Sequence, residues 1–114
     1  MVISQIKMFL MKHGFNIVQY KLQRDCGYID LIVERGGELH FFEIQTVLQE
    51  TFERDFKKGQ HIRPQRMCEI EKTAQLFMRE IGSANAPWHI HAIFIIILKN
   101  NKTPKIKINW DANL

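Results

Sequence analysis

The spacing of apolar residues predicts two helices in this chain. Ile3, Ile6, Phe9 and Leu10 recur at helical intervals, which predicts a helix over residues 2–13 that ends at Gly14. A second helix is predicted to begin at a proline in its first turn and to end before Gly82. Its apolar stripe is formed by Met67, Ile70, Ala74, Phe77 and Ile81.

The remaining apolar segments are typical of β-strands. Strands are predicted over residues 15–22, on both sides of the Gly36-Gly37 pair, over 88–98 and over 105–109. Residues 46–62 have weak periodicity and are interpreted as a loop with at most one helical turn. The order predicts an α/β fold, a mixed sheet flanked by helices, in which the strand after the second helix runs parallel by a right-handed crossover.

Length and composition narrow the class of protein. The chain has 114 residues, which predicts a single domain over 1–114. Its net charge of +4 is compatible with nucleic acid without being diagnostic of it. No signal peptide is recognised, and the longest apolar run, residues 92–98, is too short to span a bilayer. Cys26 and Cys68 lack metal-ligand spacing and are interpreted as reduced thiols of a cytoplasmic protein.

The Gly36-Gly37 pair places two acidic residues opposite one another. It predicts a two-residue hairpin turn, and a hairpin centred there pairs Asp30 with Glu43 and Tyr28 with Gln45. Directly opposed like charges are destabilising, so such a pair calls for a counter-charge, for which Mg²⁺ is well suited. The alternative is that both side chains splay into solvent at a sheet edge.

Two other groups of residues could carry chemistry. A basic cluster before the second helix would either bind phosphates or form a solvated loop, and the sequence leaves both possibilities open. Its members are Lys57, Lys58, His61, Arg63 and Arg66. His89 and His91 alternate on the late strand and so share a face, where a structural role is favoured over a metal or acid–base site. Trp88 and Trp110 could stack on bases, but packing roles are favoured.

The hairpin residues resemble the PD-(D/E)xK nucleases, and more narrowly the small YraN-like predicted endonucleases. The core of that family reads roughly Gly-Glu-Ile-Asp-Leu-Ile, a turn, and Phe-Val-Glu-Val-Lys-Thr-Arg. This chain has Gly-Tyr-Ile-Asp-Leu-Ile over 27–32 and Phe-Phe-Glu-Ile-Gln-Thr-Val over 41–47. The second helix adds Ile62, Pro64 and Arg66, which match the family's Ile-x-Pro-x-Lys, and the similarity covers residues 2–98.

The resemblance implies a restriction-endonuclease-like fold and a Mg²⁺- or Mn²⁺-dependent nuclease. Asp30 and Glu43 would be metal ligands, Gln45 would orient the attacking water, and DNA is expected in preference to RNA. Lys57, Lys58, Arg63 and Arg66 would bind nucleic acid, and a homodimer is possible. Gln45 replaces the family's lysine and Tyr28 replaces a glutamate. A catalytically inactive nucleic-acid-binding or protein-interaction module is therefore the alternative.

Overall fold

A five-stranded sheet lies between helices on its two faces. The computed structural model describes residues 2–56, 62–100 and 103–112. Its elements are α1 Val2–Lys12, β1 Asn16–Arg24, β2 Gly27–Arg35, β3 Glu38–Leu48, α2 Gln49–Thr51, a π-helical segment Phe52–Phe56, α3 Pro64–Glu80, β4 Trp88–Ile97 and β5 Lys105–Asn109. The predicted α/β class and the mixed sheet flanked by helices are confirmed.

The strands lie side by side in the order β1-β2-β3-β4-β5. Neighbouring strands are antiparallel except β3 and β4, which are parallel as predicted for a strand that returns after a helix. The β2–β3 register runs from Leu31 opposite Phe42 to Arg35 opposite Glu38, which confirms the hairpin centred on the glycine pair. Gly36 and Gly37 both have positive φ, 62° and 81°, the conformation that a primed turn requires.

The segment predicted as a loop begins as strand and helix. β3 continues through Thr46 to Leu48 because β4 supplies hydrogen-bonding partners along its whole length. The chain then enters α2 and the π-helical segment, where the Phe52 side chain is buried. Residues 57–61 of the predicted loop lie outside the described residues.

The predicted helices have nearly the predicted bounds. Pro64 is in the first turn of α3, where its missing N–H costs no hydrogen bond. The prediction that Ile81 belongs to the buried stripe is wrong. Its side chain is exposed because α3 ends at Glu80, and Met78 is buried instead.

The core has a separate apolar cluster on each face of the sheet. On one face Ile70, Ala74 and Phe77 of α3 pack against sheet residues that include Phe41. On the other face Ile6 and Leu10 of α1 pack against sheet residues that include Phe42. None of the helices in the described residues is both long enough and apolar enough to span a bilayer.

Strand β2 changes face at Asp30. Ile29 belongs to the α3-side cluster and Leu31 to the α1-side cluster, although residues two apart in a regular strand share a face. On β1, Lys21 lies opposite this point, between Tyr20 paired with Leu31 and Leu22 paired with Ile29. Lys21 has a φ of 50°, which is uncommon for a residue with a side chain. The irregularity places Asp30 at the boundary between the two faces.

Candidate functional site

The two carboxylates predicted from the hairpin register lie together. Asp30 and Glu43 are within hydrogen-bonding range of each other at the open end of the β2–β3 hairpin. The Asp30 Oδ2 also accepts a hydrogen bond of 2.8 Å from the Ile44 backbone N–H, which fixes the carboxyl group against β3. Glu43 is buried and Asp30 half-buried, so the alternative in which both splay into solvent does not describe this pair.

The counter-charge on this pair is an arginine of α3, the helix that packs on the face of the sheet to which Glu43 belongs. The Arg66 guanidinium donates from Nε to Glu43 Oε2 at 2.8 Å and from Nη2 to Glu43 Oε1 at 3.0 Å. It also donates to Glu69 and to the Tyr28 carbonyl, and it covers the Tyr28 ring at 3.8 Å from the centroid. Such a two-point pair is among the strongest side-chain contacts available. Arg66 therefore neutralises part of the negative charge of the Asp30–Glu43 pair, for which a metal ion was predicted.

A residual shortage of positive charge remains at Asp30. Burial raises the pKa of Asp30 to about 6, and the hydrogen bond with Glu43 acts in the same direction. The Ile44 N–H and the Arg66 charge lower this pKa without cancelling the increase. The Asp30 carboxyl group therefore takes up a proton in mild acid more readily than an ordinary aspartate does.

The other two hairpin residues flank this pair. Gln45 is half-buried and follows Glu43 at the two-residue spacing that keeps side chains on one face of a strand. The Tyr28 side chain is 42% exposed, with one face of its ring under Arg66. Gln45 and Tyr28 supply no positive charge to the pair, and Arg66 is the cation that contacts Glu43.

The predicted basic cluster is only partly described. Lys57, Lys58 and His61 lie outside the described residues. Arg63 is exposed immediately before α3, where a guanidinium can reach a phosphate. Arg66 differs, because only 14% of its side chain is exposed and its donors point to Glu43. Phosphate binding by Arg66 would require these donors to be shared or released.

His89 and His91 lie on the opposite face of the sheet from Glu43. They form a stack with His40, which lies on a different strand and was not predicted to join them. The Asp111 backbone N–H donates to His91 Nδ1, so His91 carries its proton on Nε2 and donates it to His40 Nδ1 at 2.8 Å. Burial lowers the pKa of His91 to about 4, and the neighbouring His40 adds to the effect. The favoured structural role agrees with this packing.

Two features of the site could not be read from the sequence. Glu69 lies one helical turn beyond Arg66 and accepts a 2.7 Å hydrogen bond from it, a spacing that is also common on solvated helix surfaces. Glu69 packs against Gly27, where an added Cβ would stand 2.2 Å from the Glu69 Cγ.

Within the described ranges, no three or more His, Cys, Asp or Glu side chains are grouped so as to hold a metal ion.

A mixed α/β sheet with an aspartate and a glutamate on adjacent hairpin strands is the arrangement of PD-(D/E)xK nuclease-like proteins. The model of the Uncharacterised protein family UPF0102, the YraN family, matches residues 4–101, and this chain belongs to that family. The chain is similar to the UPF0102 protein WS0451 of Wolinella succinogenes, with 29% identity over 73 residues. That alignment covers 64% of this chain and 62% of the relative, so it spans less than two thirds of the relative's length.

Proposed function

We propose that this protein is a metal-dependent nuclease that hydrolyses phosphodiester bonds in DNA or structured nucleic acid. The observation that carries the proposal is the Asp30–Glu43 pair, whose carboxyl groups lie together with the Asp30 pKa raised to about 6. Burial is the main cause of this raised pKa, so the ionised form of Asp30 is unfavourable here, and a divalent cation bound to the pair would stabilise it.

The residues fit Mg²⁺ or Mn²⁺ in their donor chemistry. Carboxylate oxygens are hard ligands, and Mg²⁺ commonly takes only one or two of them, with water and substrate phosphate completing its coordination. The Arg66 pair does not exclude a cation, because a carboxylate has about four lone-pair sites and two hydrogen bonds leave the others open. Asp30 and Glu43 would therefore hold the metal while Arg66 keeps Glu43 in place.

Each residue of the site would have a distinct task. The bound cation would supply Lewis-acid polarisation of water and phosphate. Gln45 would orient the attacking water by a hydrogen bond, since an amide is not a base at neutral pH. Arg63 would contact backbone phosphate from the start of α3, together with Lys57 and Lys58.

One observation favours a second candidate, a nuclease-like fold that binds nucleic acid or a protein without cleaving it. Glu43 already has a two-point partner in Arg66, and neither Gln45 nor Tyr28 carries a charge. The structural role of such a pair would be to hold α3 against the hairpin. This candidate predicts that divalent cations have no effect on the protein.

The two candidates are separated by metal binding and cleavage measured on matched variants. Wild type, Asp30→Asn and Glu43→Gln are compared by calorimetric titration with Mg²⁺ and Mn²⁺ and by cleavage of labelled DNA and RNA. The control is Asp25→Asn, which makes the same chemical change in the exposed turn after β1. The nuclease proposal expects metal binding and cleavage in wild type and control, and the loss of both in the other two. If wild type neither binds metal nor cleaves any substrate, the binding-module candidate replaces the nuclease.

Gln45→Lys tests whether the lysine that the family motif has at this position increases cleavage when it is restored. In an intact site a lysine restores positive charge beside the carboxylates, so a rise in the cleavage rate above wild type is expected. The control is Gln49→Lys, a change of the same type in α2. A fall in cleavage for Gln45→Lys alone would show that the glutamine is required as it stands.

A further inference from the structure

A cleft on the α1 side of the sheet opens beside Asp30. Its volume is about 550 Å³, within the range of about 300–1,000 Å³ typical of small-ligand sites. Ile3 and Ile6 of α1 form one wall, and Leu31 and Ile44 of the sheet form the other. The cleft begins at the residue where β2 changes face, so one Asp30 carboxyl group borders both the acidic pair and this cavity.

The polar residues of the cleft have a definite charge pattern. Lys7 from α1 and Lys21 from β1 line it together with Asp30. Tyr20, whose side chain is 46% exposed, adds an aromatic ring. An apolar, aromatic interior with two lysines suits a ligand that is flat and apolar in one part and anionic in another. A nucleotide has this combination, since every base has a π-face and every linkage a phosphate.

We infer that this cleft receives an unpaired nucleotide next to the phosphodiester that the acidic pair addresses. The inference rests on the proposed function for its ligand class, and it adds that single-stranded or unpaired regions are preferred over continuous duplex. The base would stack on Tyr20 between the α1 and sheet walls, and Lys7 and Lys21 would contact its flanking phosphates. A base within a duplex is stacked and paired, and it enters such a cleft only after the cost of unpairing.

The backbone of β1 supports this placement. Lys21 stands opposite Asp30 in the register and has a φ of 50°. Non-glycine residues in this conformation and strand irregularities both cluster at functional sites, where they redirect side chains. Here the irregularity directs a lysine and a carboxylate to one cavity.

The test measures binding without metal, so that it does not depend on cleavage. Fluorescence anisotropy in EDTA compares a labelled single-stranded oligonucleotide with the blunt duplex of the same sequence. Wild type is expected to bind the single strand more tightly at equal salt. Tyr20→Ala should weaken single-strand binding by roughly 5- to 150-fold, the loss of one stacked base. Tyr20→Phe should bind as wild type does, because the ring remains.

Charge is tested on two lysines of the same helix. Lys7→Gln should reduce the salt slope of single-strand binding by about 0.7, the loss of one phosphate contact. Lys12→Gln removes the same charge outside the cleft and should leave the slope unchanged. Equal binding of single strand and duplex by wild type, or wild-type affinity in Tyr20→Ala, would overturn the inference.

The failure of this inference is distinguishable from failure of the nuclease proposal. Cleavage with Mg²⁺ and Mn²⁺ is measured on the same preparations. A protein that prefers single strands through Tyr20 and cleaves nothing would refute the nuclease and keep the cleft assignment. A protein that cleaves blunt duplex regardless of Tyr20 would keep the nuclease and refute the cleft assignment.

Discussion

Removal of the Arg66 guanidinium leaves a buried carboxylate without its ion-pair partner. The Glu43 and Arg66 side chains are only 6% and 14% exposed. In Arg66→Met the carboxylate of Glu43 keeps its position and loses its partner. Breaking a buried ion pair by removing one member costs about 3–5 kcal/mol, because the other charge stays desolvated. Since some solvent reaches this pair, we expect about 3 kcal/mol.

The expected change in melting temperature follows from chain length. An unfolding entropy of about 2.1 cal/mol/K per residue makes 1 kcal/mol worth about 4 °C in a chain of this size. Arg66→Met should therefore lower Tm by about 12 °C at pH 7 in differential scanning calorimetry. Because Arg66 lowers the pKa of Asp30, the variant should bind a proton at the acidic pair more readily. The loss should accordingly shrink between pH 7 and pH 5.

Two further variants determine whether the loss comes from the pair. Arg63→Met removes a guanidinium three residues away that is exposed, and it should change Tm by less than about 2 °C. Arg66→Met combined with Glu43→Gln removes both charges and should recover part of the stability. If the double variant is no more stable than Arg66→Met, or if Arg66→Met loses less than about 1 kcal/mol, the assignment of Arg66 as counter-charge is refuted.

The same variant responds to metal if the nuclease proposal holds. With Arg66 absent, a divalent cation is the remaining source of positive charge for Asp30 and Glu43. Mg²⁺ or Mn²⁺ should then raise the Tm of Arg66→Met more than the Tm of wild type. An equal shift in both proteins would speak against metal binding at this pair.

Three further predictions concern pH and nucleic acid. The folded-state pKa of Asp30 is raised from 3.8 to about 6, so its ionisation costs stability as pH rises through that window. Asp30→Asn should therefore stabilise the protein at pH 7 and not at pH 3.5, as measured by chemical denaturation. The gain should be on the order of 1–3 kcal/mol. The pKa of His91 is lowered from 6.5 to about 4, so the His91 side chain costs stability as pH falls through that range, and His91→Gln should gain roughly 3 kcal/mol relative to wild type over it. Chemical denaturation of both proteins, followed by tryptophan fluorescence, measures this difference, and a difference between His91→Gln and wild type that does not change with pH would contradict the prediction. Arg63→Gln should reduce the salt slope of single-strand binding by about 0.7, and an unchanged slope would assign Arg63 to a solvated surface.

The hairpin and the position of its carboxylates were predictable because they are determined by residues close together in the sequence. Gly36-Gly37 fixes the turn, the turn fixes the register, and the register brings Asp30 to Glu43. The helix bounds were predictable for the same reason, since caps and periodicity act within a few residues. Each of these features needs only short-range backbone geometry.

The partners of the site were not predictable from local pattern. The sequence placed Arg66 in a basic cluster that would either bind phosphates or form a solvated loop, because the pattern of a helix does not show which sheet residue lies opposite it. His40 joined His89 and His91 only through the parallel pairing of β3 with β4. The change of face at Asp30 coincides with the positive φ of Lys21 in the neighbouring strand, which the residue types of β2 do not predict. These features all depend on tertiary packing.

The separation in sequence between contact partners also favours an order in which the charged side chains meet while the chain folds. The Asp30 contact to β3 closes a loop of 14 residues within one hairpin, which forms in about 1–10 μs in isolated peptides. The Glu43–Arg66 pair spans 23 residues and forms only when α3 docks on the sheet. In a hairpin that forms before α3 docks, the two carboxylates face each other without the Arg66 guanidinium. Attraction between Arg66 and these carboxylates then favours docking of α3, in addition to apolar burial.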